Sequence, residues 1–248
     1  GHIRDEHDPV YFQDLGKDLL NPIAFATIAN DLYYPLTTFE RGGFRYRKDK
    51  GYLFERQLNE NCRSLFQRSL AGYRRPERRA LIPMLVLSPY ILNDARRLII
   101  SPQKLSYLMQ PDAGGRLSTQ TEIDGVDFSR FFARQQADSF AFSTALRMNC
   151  TYPLVLPNVW LPTTPAVEVM DAGLRDNYGS GLAVRFVQTF RDWILENTGG
   201  VVFVQIRSWE KINEIAQSDR KGLISHLLTP AGAMSNVVIV QDYEQDQQ

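Results

Sequence analysis

Ala166-Val167-Glu168-Val169-Met170-Asp171-Ala172-Gly173-Leu174-Arg175-Asp176-Asn177-Tyr178-Gly179 is the stretch whose reading decides the fold. The short apolar run that ends at Met170 reads as a strand. An aspartate follows at once, and small residues let the chain turn. Beyond Gly179-Ser180, with Ser180 read as the helix N-cap, Ala183, Phe186, Val187, Phe190, Trp193 and Ile194 form one helical stripe. Asn197 and Gly199-Gly200 end that helix, and Val201 to Ile206 reads as a second buried strand. Strand, crossover helix and strand make one parallel βαβ unit. The expected fold is therefore α/β, with a mainly parallel sheet and helices on both faces. Open sheets of this kind carry their chemistry at the carboxyl ends of strands. Asp171 is thus the first candidate for a catalytic group. A carboxylate there can accept a hydrogen bond from a serine and act as its general base. On the residues alone, an aspartate that only caps the turn is the more economical reading.

Composition narrows the classes. The chain has 248 residues, 44% hydrophobic and 23% charged, as in ordinary globular proteins large enough to bury a core. Its formal net charge is zero, which argues against a dedicated nucleic-acid binder. The two cysteines, Cys62 and Cys150, match no metal-ligand spacing, and three histidines (His2, His7, His226) do not suggest a metal centre. No metal and no organic cofactor are expected. No apolar run reaches the roughly 20 residues of a spanning helix. The start at Gly1-His2 reads as a tag scar or a processed fragment.

Taken in order, residues 1–10 are polar and expected to be poorly ordered, and Asn21-Pro22 opens a helix reaching about Leu32. Thr37 to Tyr46, with Gly42-Gly43, reads as irregular or a hairpin. From Gly51, the spacing of Phe54, Leu58, Cys62, Leu65, Phe66 and Leu70 predicts one long amphipathic helix, with Cys62 as a small core residue. Tyr73 to Arg79 is the one basic cluster. It would suit a peripheral contact with anionic lipid headgroups. It is short and broken by Pro76, so a solvated helix end and linker is the simpler account. Ile82 to Leu87 reads as a buried strand, Asn93 to Arg97 as a turn, and Leu98 to Ser101 as a second strand. Gln110 to Asp127 reads as a long loop. Phe128, Phe131 and Phe132 open a helical segment, Ser139 to Met148 a small-residue helix, and Trp160 to Pro165 a connector. Trp209 to Gln217 and Leu223 to Leu228 read as helical, and Val237 to Val240 as a last strand.

Several of these segments, in this order, resemble the patatin-like phospholipase family. Asp171-Ala172-Gly173 is similar to the family's Asp-Gly-Gly or Asp-Gly-Ala after a strand. Ala145 to Pro153 stands in for its A-S-x-A-x-P-x-x-F-P segment, with Tyr152 in the usual phenylalanine position. Ser88 to Ala95 loosely resembles the T-x-x-x-T-G turn, with Ala95 where that pattern has glycine. The likeness covers roughly residues 80–206. It implies a serine lipid acyl hydrolase with a Ser-Asp dyad. Asp171 would be the base, Gly173 part of its motif, and Asn177 a support for the turn.

A Gly-x-Ser-x-Gly elbow, which the family uses to expose its nucleophile, does not occur in the 248 residues. The resemblance therefore implies the C-terminal portion of a patatin-like enzyme, a partial domain inactive alone, whose partner is the N-terminal part of the same protein. Residues 1–80 would be a helical segment after the nucleophile region, 81–241 the rest of the α/β domain, and 242–248 a polar tail. The implied substrate is a lipid or other acyl ester. The alternative is a non-catalytic lipid-binding or assembly module that keeps the fold. Asp94, Asp138 and His226 are expected to be solvated, capping or turn residues.

Overall fold

The computed structural model describes residues 9–25, 37–41, 44–109, 123–152 and 155–207. A short helix α1 (Pro9–Leu15) precedes helical residues 21–25. The former was not expected; the continuation of the latter to Leu32 lies outside the described residues. Strands β1 (Thr38–Arg41) and β2 (Phe44–Arg47) form an antiparallel hairpin, the more ordered of the two expectations for this region.

Helix α2 (Lys50–Asn61) is N-capped by Asp49, whose carboxylate accepts the Tyr52 N–H. The single long helix expected through Leu70 is two helices. Arg63 and Ser64 have φ of 53° and 62°, a left-handed kink that no helix can carry. Helix α3 (Leu70–Arg78) starts beyond it. Pro76 lies inside α3 rather than breaking it, and Arg79 N still reaches Arg75 O at 3.1 Å. Arg74 of the basic cluster is drawn inward, donating to Pro102 O at 2.8 Å and to Asp138.

A five-stranded sheet follows: β3 (Tyr90–Ile91), β4 (Arg97–Ile99), β5 (Gly125–Asp127), β6 (Val159–Leu161) and β7 (Val167–Met170), in the order β5-β4-β3-β7-β6. The chain is α/β in the broad sense of mixed helices and a mixed sheet. The ladders differ from the mainly parallel arrangement expected. Among the described residues only β4–β5 is parallel, and β3–β4, β3–β7 and β6–β7 are antiparallel. The physical reason is connection length. Turns as short as 92–96 and 162–166 can only fold a strand back on its neighbour, whereas a parallel pair needs a long crossover.

Three further expectations are corrected. The run from Ile82 to Val86 is not a strand: Leu81 and Met84 are exposed, and only Leu87 bridges to Ile100. Trp160 and Leu161 are not connector but the edge strand β6, with Val159 and Leu161 buried and Trp160 turned to solvent, the two-residue period of a half-buried strand. Gly125 to Asp127 is strand rather than loop, while 110–122 lie outside the described residues.

Helix α4 (Phe128–Phe131) is capped by Asp127, and helix α5 (Phe142–Asn149) packs its small face inward, with Ala145 and Met148 fully buried. These helices and the sheet share one core around Leu98, Ile100, Phe128, Phe142, Met148 and Val169. A smaller cluster joins Ile23, Phe54 and Leu156. Beyond β7 come α6 (Ser180–Thr189) and α7 (Arg191–Asn197). The expected strand Val201 to Ile206 is not paired. Val202, Val204 and Ile206 are more than three-quarters exposed, and Trp193 of the preceding stripe is 60% exposed. The apolar pattern is present, but nothing among the described residues covers it. The expected elements from Trp209 onward, and His2, His7 and His226, lie outside the described residues.

Candidate functional site

Asp171 stands where the sequence placed it, at the carboxyl end of a buried strand. Val169 pairs with Ile91 on one side and Val159 on the other, and Met170 pairs with Tyr90. Val169 and Met170 are buried at 0% and 4% exposure, so the chain leaves the sheet interior at Asp171. A single 3-10 turn, Ala172–Leu174, then begins. Asp171 caps it: Oδ1 accepts the Gly173 N–H at 2.7 Å. The capping role is therefore real, and it does not exclude a second one, because a carboxylate has lone pairs to spare. Among the described residues Gly173 N–H is its hydrogen-bond donor, which leaves Oδ2 able to accept another.

Gly173 is dictated by this geometry. A Cβ there would lie 2.8 Å from Asp171 Oδ1 and 3.0 Å from Asn177 Oδ1. Both oxygens would have to shift to admit a side chain there. Asn177 Oδ1 thus faces the same glycine as the Asp171 carboxylate. Burial raises the Asp171 carboxyl above its ordinary value, and the Gly173 hydrogen bond pulls the other way and loses. A carboxyl shifted upward is a better proton acceptor near neutral pH than an ordinary surface one.

Cys150, at the end of α5, is a reactive-type side chain that feels the Asp171 charge. Its thiol donates toward Leu146 O at 3.1 Å. Crowding by surrounding atoms, with the Asp171 charge adding to it, pushes the thiol up to about 12, even though part of the residue is exposed. It is a neutral thiol at physiological pH and no nucleophile. Cys62 is likewise raised, chiefly by burial.

The turn is fastened by groups that the sequence reading passed over. Asp176, 3% exposed, accepts the Leu182 N–H on Oδ2 at 3.3 Å, and Arg97 Nη2 lies 3.8 Å from the same oxygen. Arg97 also donates to Asp124 at 2.8 Å. Arg185 clasps Asp124 with two bonds of 2.6 Å, and Arg175 reaches both Asp124, at 3.3 Å, and the Ala95 carbonyl. Burial works to raise Asp124, but the bonds and charges of Arg185, Arg97 and Arg175 outweigh it and hold the carboxyl low. Burial lowers Arg97, against the pull of Asp176 and Asp124. No spacing marks this network in the sequence, because its members come from β4, the approach to β5, the 171–177 turn and α6.

The remaining candidates are structural. Asp94 accepts from Arg96 in the β3–β4 turn, and Asp138 pairs with Arg74. Gly179, at φ 69°, takes the N-cap position of α6, so Ser180 is the first helical residue and not the cap expected. An open groove of about 1640 Å³ lies between α2, the β1–β2 hairpin and the outer edge of β6. Its lining includes Tyr52, Glu55, Arg147 and Trp160, and it does not reach Asp171. Among the described residues no cluster of His, Cys, Asp or Glu could hold a metal ion, and no helix is long and apolar enough to cross a membrane. Comparisons of the chain with protein-family models, with curated proteins and with solved structures yield no match.

Proposed function

We propose that this chain is the aspartate-bearing, C-terminal portion of a patatin-like serine lipid acyl hydrolase, with Asp171 as the base of a Ser-Asp dyad. The observation that carries this reading is the state of Asp171. It leaves the buried end of β7, is tied by one N–H, is raised by burial, and keeps one oxygen for a partner. The backbone of Ala95 adds support. This residue takes the glycine position of the family's turn, and its φ is 64°, the region that favours glycine.

In this reading a serine supplied by sequence outside these 248 residues attacks the ester carbonyl of a lipid. Asp171 takes its proton, and a new Ser–O–acyl bond forms. The proton passes to the leaving alcohol as the ester C–O bond breaks. Water, deprotonated by the same carboxylate, then attacks the acyl-enzyme and frees the acid and the serine. Asn177 and Gly173 keep the carboxylate in place. The whole domain would extend the mixed sheet described here into the family's mainly parallel one.

The test is a longer protein that includes the preceding sequence. It should hydrolyse short acyl esters and react with serine-directed inhibitors, and Asp171→Asn should abolish turnover. Turnover untouched by Asp171→Asn would sink the dyad. The 248-residue chain alone should be inactive. A second reading, a non-catalytic assembly module, is favoured by the uncovered apolar segment at Val201 to Ile206. A folded, inhibitor-insensitive longer protein would favour it.

A further inference from the structure

We propose that Asp176, bonded to the Leu182 N–H and facing Arg97 at 3.8 Å, is the positioning residue that sets where the Asp171 carboxylate lies. This rests on reading Asp171 as the functional base, but the contacts stand by themselves. Asp171 and Asp176 are the two ends of one compact turn. Asp176 N donates to Ala172 O at 2.9 Å and Arg175 N to the same oxygen at 3.0 Å. Among the described residues the Asp171 end is anchored by its own cap on Gly173 and by the strand behind it. The Asp176 end is anchored to the rest of the molecule. Its buried carboxylate bonds to the first turn of α6 through Leu182 N and faces Arg97 on β4. Arg97 is itself fixed by Asp124, which Arg185 clasps from α6. Strand β4 and helix α6 are thereby locked to the same turn. Any shift of Asp176 is transmitted through the Ala172 carbonyl to the residue beside Asp171.

Gly181 gives a way to move this anchor without changing a charge. A Cβ there would lie 3.1 Å from Asp176 Oδ2 and 3.2 Å from Arg97 Nη2, so Gly181→Ala requires these two groups to yield by a few tenths of an ångström. Asp176→Asn removes a neighbouring negative charge as well as the anchor, and Asp176→Glu keeps the charge but alters the reach.

The experiment uses the 248-residue chain and follows the Asp171 carboxyl carbon by NMR as pH is varied, assigned by its absence in Asp171→Asn. Gly181→Ala and Asp176→Glu should each move its titration midpoint by about 0.5 pH unit or more, the size expected when a buried group changes its surroundings. Arg74→Met, which breaks the separate Arg74–Asp138 pair, serves as the control for loss of stability and should leave the midpoint in place. An unchanged midpoint in folded Gly181→Ala, or an equal shift in Arg74→Met, would overturn the proposal. If Gly181→Ala does not fold, Asp176→Glu decides by the same criterion. No activity is read, so this result and that of the hydrolase assay can fail separately.

Discussion

The turn at 171–182 and the arm at 191–206 are neighbours in sequence and opposites in structure. The turn buries charge and pairs most of it, leaving Arg97 Nε and Asp176 Oδ1 without a hydrogen-bond partner among the described residues. Asp176, Arg97, Asp124 and Arg185 hold one another, and Asp171 caps its own turn. The arm carries apolar side chains that nothing among the described residues covers. Trp193, Leu195, Val202, Phe203, Val204 and Ile206 are all 59% exposed or more. Burial of apolar surface is the main favourable term in folding, so such an arm contributes little to the stability of the chain as described. The turn is held by charge and hydrogen bonding together with the packing of Leu182 on Ile99, Leu105 and Leu108, and the arm offers hydrophobic surface outward. Polar groups are usually arranged the other way round.

The sharpest way to break the contrast is at Arg97. Arg97→Met leaves Asp176 and Asp124 in a buried site without their shared cation. Removing one partner of a buried pair costs about 3–5 kcal/mol, to be read from the urea midpoint. A loss below about 1 kcal/mol would mean that the network is solvated and not structural. Gly173→Ala comes next. Its Cβ collides with two oxygens at 3.0 Å or less, and overpacking of this kind costs about 1–3 kcal/mol. Thermal unfolding would show it.

Asp171→Asn should act in the opposite direction, with a pH dependence that identifies the cause. The folded carboxyl is raised relative to the unfolded chain, so ionising Asp171 costs stability as pH climbs from the ordinary carboxylate value through the raised one. The asparagine variant should therefore be more stable than the parent at neutral pH, and the gain should vanish in acid. Asp124 has the reverse sign. Its folded carboxyl is lowered, so its contribution is present at neutral pH and fades as acid is added. A gain for Asp171→Asn that persisted in acid would show that burial of charge is not its source. The smallest effect belongs to the arm. Val204→Lys, at a position 80% exposed, should change stability by no more than about 0.5 kcal/mol. A larger loss would show that the segment is packed in solution.

What the sequence disclosed follows the reach of each signal. Strand β7, the aspartate at its end and the glycine beside it were legible, because an apolar run followed by an acid and small residues is a local pattern. The helix after Gly51 was legible in its stripe but not in its break, since the left-handed residues at Arg63 and Ser64 carry no glycine to announce them. Strand direction was not legible at all: the run of Val201 to Ile206 states a need for cover, and only tertiary structure says whether it is met. The Arg97–Asp124–Asp176 set was invisible for the same reason. Each member looks like an ordinary surface charge until three distant segments meet.

Cys150 has a practical consequence. The residue is exposed in part, yet burial of its thiol, with the Asp171 charge adding to it, pushes that thiol up to about 12. Alkylating reagents at neutral pH should consume it far more slowly than they do a free cysteine, since the thiolate is the reacting form. Anything that opens the corner around Asp171 to water should speed that reaction. The protein thus carries a natural chemical clock beside its candidate base, one that runs faster as the corner loosens and needs no substrate to be read.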